Sequence, residues 1–80
     1  MDRVKIFADV QDLMRDILDD QMLVLAETTT VADVDGWDSM THLQLVVAVE
    51  KHFKIKFGAK EILLWKDVGE MLDVIGSKVA

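Results

Sequence analysis

An all-α fold, a small four-helix bundle of three main helices plus one short one, is what this 80-residue sequence predicts. Three observations carry that prediction. Proline is absent, apolar residues recur at helical spacing through most of the chain, and acidic residues stand where two of the helices should begin. Hydrophobic residues make up 51% of the chain and charged residues 30%, a globular mixture and not a disordered one. The length implies a single domain, residues 1–80, near the size at which a lone core just suffices.

The first helix follows from Ile6, Val10, Leu13 and Ile17, which fall within roughly 60° of one another on a helical wheel. Asp9, Asp12, Asp16 and Asp19 form its solvated polar side. Residues 20–38 lack a sustained period and carry Thr28, Thr29, Thr30, Asp33, Asp35 and Gly36, so they read as a long loop. A loop of that length in a small domain must be functional or well packed. Leu23, Leu25, Val31 and Val34 are the residues expected to pin it. Asp38 is then the N-cap of the second helix, with Ser39 at its first position.

The second helix, Ser39 to Phe53, has two apolar faces. His42, Leu45, Val46, Val49 and Phe53 cluster within roughly 100°, the width of a core-facing stripe. Met40, Leu43 and Val47 form a second stripe on nearly the opposite side, fringed by Gln44, Glu50 and Lys51. Two faces mean either burial at the centre of the bundle or a surface kept for a partner. Ser39 lies on the flank of the second stripe, so a protein acting on it would meet Met40, Leu43 and Val47.

After Ile55 and Phe57, Gly58 breaks the pattern, and the run Lys54 to Phe57 is too brief to build a sheet. Glu61, Ile62, Leu63, Leu64 and Trp65 read as a short helical piece that needs packing to persist. Asp67-Val68-Gly69-Glu70 resembles a capping box, and Val68, Met71, Leu72, Ile75 and Val79 repeat at helical spacing behind it. Gly69 and Gly76 each cost on the order of 1 kcal/mol against alanine, so the last helix depends on tertiary contacts.

Composition narrows function by exclusion. Without cysteine there is neither a disulfide nor a thiolate metal site, and with only His42 and His52 a histidine-rich metal site is not expected. The net charge of −6 argues against nucleic acid, whose phosphates require a basic face. Residues 1–38 hold ten Asp/Glu against three Lys/Arg, whereas residues 39–80 hold five against six. No stretch has the character of a signal peptide or a membrane span, so a cytoplasmic location is expected, with no membrane partner.

Ser39 is the residue of chemical interest. The first turn of a helix has unpaired N–H groups and the positive end of the dipole, so an oxygen there can bear a phosphate at low electrostatic cost. A serine hydrolase built from Ser39 with His42 or His52 is disfavoured. No strand-loaded Gly-x-Ser-x-Gly turn is present, and 80 residues leave little room for a pocket and oxyanion hole. His42 is expected to pack at the core edge near the third helix, and His52 to be exposed. Trp65 is expected to fill the core between the third and fourth helices. Trp37 either covers the base of a group attached at Ser39 or anchors the loop, and anchoring is the reading preferred for an aromatic.

Asp38-Ser39-Met40, followed by Leu43, Leu45, Val46, Val49, Glu50 and Phe53, resembles the acyl and peptidyl carrier proteins, whose attachment motif is Asp-Ser-Leu at the start of the second helix. The similarity spans nearly the whole chain. The form Gly-Trp-Asp-Ser-Met-Thr-His-Leu is most similar to free-standing carriers of secondary-metabolite pathways. Met40 replaces leucine, a volume-conserving change. Thr41, His42, Gln44 and Lys51 are not acidic, unlike helix two of fatty-acid-synthesis carriers.

The resemblance implies a monomeric carrier with no catalysis of its own. A phosphopantetheinyl transferase would use coenzyme A to place 4'-phosphopantetheine on Ser39, with Asp38 and Trp37 beside the attachment. A loading enzyme would supply an acyl or aminoacyl group as a thioester, and synthase or tailoring enzymes, in polyketide or related secondary metabolism, would consume it. Met40, Leu43 and Val47 would meet those partners. A peptidyl or aminoacyl carrier of nonribosomal type, and an unmodified acidic helical interaction module, are the alternatives.

Overall fold

The computed structural model describes residues 2–63 and 65–79, apart from the side chain of Leu63. They form four helices: α1 (Arg3–Leu18), α2 (Ser39–Phe53), α3 (Ala59–Leu63) and α4 (Val68–Val79), with a short 3₁₀ turn, Val31–Asp33, inside the long loop. No strand occurs among the described residues. The short third helix is present through Leu63, and the helical expectation for Leu64 lies outside the described residues. Among the described residues, no helix is long and apolar enough to cross a membrane.

In α1, Asp2 caps the N-terminus by accepting from the Val4 N–H, and Asp19 ends the helix in the left-handed region at φ 52°. The buried stripe is Ile6, Val10 and Met14, while Leu13 and Ile17 are only half-buried. The core axis is therefore rotated toward Met14 from the expected stripe. The aspartate row divides as well. Asp12, Asp16 and Asp19 are exposed, but the Asp9 side chain is 12% exposed and takes Lys5 Nζ at 2.9 Å and His52 Nε2 at 3.0 Å. Lys5 first, then His52, holds the Asp9 carboxyl below its ordinary range against the opposing effect of burial. Asp9 is thus a bridge between α1 and α2, and exposed His52 is its partner.

One face of α1 grips the loop. Arg15 Nε donates to the Leu23 carbonyl at 2.7 Å, Gln11 Oε1 accepts from the Leu25 N–H at 2.7 Å, and Arg3 pairs with both Glu27 oxygens at 2.6 and 3.1 Å. Residues 3, 11 and 15 differ by multiples of four, so they share a helical face and hold residues 23–27 extended beside it. Leu25 is buried as a result. Arg3 also reaches Asp73 at 2.7 Å and the Gly69 carbonyl at 3.1 Å, tying α1, loop and α4 together.

The loop in turn caps α4. The Val68 and Gly69 N–H groups, unpaired donors of its first turn, reach the carbonyls of Thr29 and Glu27 at 2.9 and 2.7 Å. The expected capping box is modified. The Glu70 N–H donates to Asp67, but the Glu70 carboxylate accepts from Lys66 N–H at 2.6 Å, one residue before the cap. Val68, Met71, Leu72 and Ile75 are buried, and Val79 is half-buried.

On the core side of α2, Leu45, Val46 and Val49 are buried and Phe53 is half-buried. His42 fills the edge of that stripe, stacked on Trp37 at a 6.1 Å centroid distance and edge-on to Trp65 at 5.6 Å. Trp65 in turn meets Phe57 edge-on at 5.0 Å, so it joins the core from a half-buried position. The Trp37 Nε1–H donates to His42 Nδ1 at 3.3 Å, which requires that nitrogen to be unprotonated. Burial lowers the His42 pKa, and a hydrogen bond to the Ile62 backbone only partly offsets it.

Two outcomes follow for stability. A Cβ at Gly76 meets nothing within 4 Å, whereas one at Gly69 meets the Glu27 carbonyl at 3.1 Å and Asp67 Oδ1 at 3.3 Å. Thermal melts should show Gly76→Ala stabilising by about 0.5–1 kcal/mol through helix propensity. Gly69→Ala should instead lower Tm, because the loop that caps α4 must shift. The second outcome concerns pH. His42 binds a proton less readily when folded than at its ordinary value of 6.5, so the unfolded chain protonates first. Stability is therefore complete above pH 6.5 and declines as the pH falls through that value toward the lower folded-state value. Denaturant midpoints should fall from pH 7 to pH 5 in the wild type and much less in His42→Gln. The depressed carboxyls of Asp9, Glu27, Asp38 and Glu61 act at lower pH, below 4.5.

Candidate functional site

Two residues upstream of Ser39 the chain is fixed. Trp37 is only 6% exposed and belongs to the main core cluster. Gly36 precedes it at φ +86°, a left-handed conformation that favours glycine, and an added Cβ there would lie 3.3 Å from Leu18 Cδ2. The turn is closed by the Trp37 N–H on the Val34 carbonyl at 3.2 Å and by Thr41 Oγ1 on the Gly36 carbonyl at 2.8 Å. The tryptophan therefore anchors the loop from within the core.

Asp38 begins α2 as expected. Its carboxylate accepts from the Thr41 N–H at 2.9 Å, and its carbonyl accepts from the His42 N–H at 2.9 Å. The Thr41 N–H above all pulls the Asp38 carboxyl below its ordinary range and outweighs desolvation, so it is ionised at neutral pH. Thr41 was not singled out by sequence reasoning. The signal was its place at the third helical position, where capping partners sit.

Ser39 is exposed at the first position of α2. Beside it lies an open groove of about 420 Å³, with Val31, Leu43, Ile62 and Trp65 supplying apolar wall and Asp38, Ser39 and His42 completing the lining. Val31 was expected to pin the loop, but it is 39% exposed and faces this groove instead. Leu23 and Val34 are half-buried against the core and Leu25 is buried in it. Trp37 does not line the groove. Trp65 does, and its Nε1 is buried without a partner among the described residues.

The second apolar stripe of α2 is at the surface. Met40 is 70% exposed, Leu43 58% and Val47 48%, so α2 is not enclosed at the centre of the bundle. Ser39 thus stands at the corner of an apolar groove and an apolar helix face. Nothing in this geometry activates its hydroxyl. One nitrogen of His42 accepts from Trp37 and the other is engaged by the Ile62 backbone, while His52 is held by Asp9. Among the described residues, neither histidine is free to act as a general base on the Ser39 hydroxyl.

No protein-family model matches the chain, and no curated protein sequence matches it. A solved structure does. The solution NMR structure of a holo acyl carrier protein from Geobacter metallireducens shares 36% sequence identity and a TM-score of 0.85, over 91% of this chain and 84% of that one. With its helix order, its exposed serine at the head of α2 and this likeness in both sequence and structure, the chain belongs to the acyl carrier protein family and acts as a carrier without catalysis of its own.

Proposed function

We propose that Ser39 is the attachment point for 4'-phosphopantetheine, transferred from coenzyme A by a phosphopantetheinyl transferase. The observation that carries the reading is the exposed Ser39 hydroxyl on the first residue of α2, held there by buried Trp37 and by the Asp38 cap. The residues fit the group. The hydroxyl stands in solvent at the positive end of the helix dipole, and the groove beside it offers apolar wall to an extended chain. When bound, the arm supplies a terminal thiol that holds an acyl or aminoacyl group as a thioester.

Each residue of the site then has a task. Asp38, ionised and exposed, orients the first turn and offers a free carboxylate face to a cation brought with the transferase. Trp37 holds both residues in register from below and does not cover the arm. Met40, Leu43 and Val47 form the surface on which the transferase, the loading enzyme and downstream enzymes dock. Tethering makes each delivery effectively intramolecular once a partner is bound.

The near-neutral, apolar outer face of α2 supports a pathway in polyketide or related secondary metabolism over bulk fatty acid synthesis. Supply of coenzyme A and of the transferase fits a cytoplasmic location, with the chain working as one carrier domain.

Intact mass tests the assignment. Co-expression with a broad-specificity transferase should add one phosphopantetheine, about 340 Da, and Ser39→Ala should abolish the shift. Absence of any mass increase with several transferases would favour the unmodified interaction module. Trp37→Ala should lower Tm and slow the transfer, whereas Trp37→Phe, which keeps the ring buried, should retain most of the rate. Val47→Asp should slow partner turnover more than raising salt does, since the contact is apolar and only charge contacts are screened.

A further inference from the structure

The exposed stripe of α2 does not end at Val47. Met40, Leu43, Val47, Lys51 and Lys54 fall within about 80° of one another around the helix axis, so the apolar face runs directly into two lysines. Lys56 follows in the link to α3, and Lys60 stands in α3 itself. That link folds back on the end of α2, with the Ile55 N–H on the Glu50 carbonyl at 3.1 Å and the Phe57 N–H on the Glu50 carboxylate at 2.9 Å. Lys51, Lys54, Lys56 and Lys60 are all exposed.

These charges are left uncompensated in a chain whose net charge is −6. Among the described residues, no carboxylate lies within 4.0 Å of any of the four. The acids nearest them in sequence are already engaged. Glu50 holds the Phe57 N–H, and Glu61 holds the Gly58 N–H and Lys78. At the other end of α2, Asp38 is exposed and lines the groove that Leu43 also lines. Helical rise puts the two ends about 20 Å apart, more than twice the screening length of physiological salt, so each end senses its own counterpart.

We infer that the α2 face is a polarised docking surface for a partner protein that sets acidic side chains against Lys51 and Lys54, an apolar centre against Met40, Leu43 and Val47, and basic side chains against Asp38. This deepens the reading of α2 as the docking face and rests on it. A nucleic acid or an anionic membrane would be repelled by the aspartate end. A second copy, docked antiparallel, would match the charge order but brings another −6 of net charge with it.

Three amphipathic helical peptides of roughly 20 residues with one shared leucine face test this on the unmodified, isotope-labelled full chain. One carries arginines at one end and glutamates at the other, one carries arginines at both ends, and one carries glutamates at both. NMR titration should show the mixed peptide binding tightest, about fivefold over the all-arginine peptide. The shifts should centre on Met40, Leu43, Val47, Lys51 and Lys54. In Lys51→Glu/Lys54→Glu the all-arginine peptide should become the tightest. Lys51→Glu alone should shift the ranking in the same direction while sparing Lys54, which caps α2 at φ 59°. A preference of the wild type for the all-arginine peptide would mean net charge governs and would overturn the inference. So would shifts confined to α1 or the loop, or no binding at millimolar peptide. Concentration-dependent shifts of the same amides without peptide would overturn it in favour of a second copy. The wild-type serine is present throughout, so a failed transferase assay at Ser39 and a failed peptide ranking remain separate results.

Discussion

Burial of Trp37 is the constraint on which the site depends. One residue, Asp38, separates a side chain that is 6% exposed from an exposed serine, and that short span leaves little freedom between core and surface. The indole fixes depth, Gly36 fixes direction through a backbone angle that favours glycine, and the Asp38–Thr41 cap fixes the start of the helix. A floppy loop would let α2 begin one residue earlier or later. A shift of one residue turns the hydroxyl by about 100° around the helix, away from the groove. The neutral state of His42 belongs to the same device, because Trp37 can donate to it only while Nδ1 is bare.

The long loop is ordered by unlike contacts at its two ends. Its first half is held by polar side chains from one face of α1, and its carbonyls at Glu27 and Thr29 complete the first turn of α4. Its second half is held chiefly by the buried Trp37 ring, with Val34 packed against the core beside it. The acid-rich half of the chain is therefore structurally employed at Glu27, Asp9 and Asp38 and merely solvated at Asp12, Asp16 and Asp19. Exposed ion pairs of the Arg3 kind add little each. Here one guanidinium joins three elements, so its contribution is to their mutual placement.

Much of this was legible in the sequence where the governing interaction was local. Asp38 as cap and the span Ser39–Phe53 depend on residues within one or two turns, and both are found as read. The exposed Ser39 and the apolar pair of α2 faces are consequences of the same periodicity. What escaped was long-range or marginal. Met14 sits at the margin of a stripe drawn on Leu13 and Ile17, and only the position of α2 and α4 decides which side is buried. Asp9 reads as one more surface acid until His52, 43 residues away, is brought to it. Val31 has the composition of an anchor, but a single 3₁₀ turn points it at the groove.

The two faces of α2 also explain why the exposed stripe is tolerated. Three partly exposed apolar side chains on a protein of this size invite self-association, since an uncovered apolar face gains free energy from any similar face. Net charge opposes that: each encounter between copies brings two acidic bodies together. A partner of complementary charge order and without a net negative charge would escape that penalty and gain the apolar contact. The acidity concentrated in residues 1–38 thus protects a surface that lies almost wholly in residues 39–54. A chain with neutral residues at the solvated positions Asp12, Asp16 and Asp19 would keep its fold and weaken that opposition to self-association.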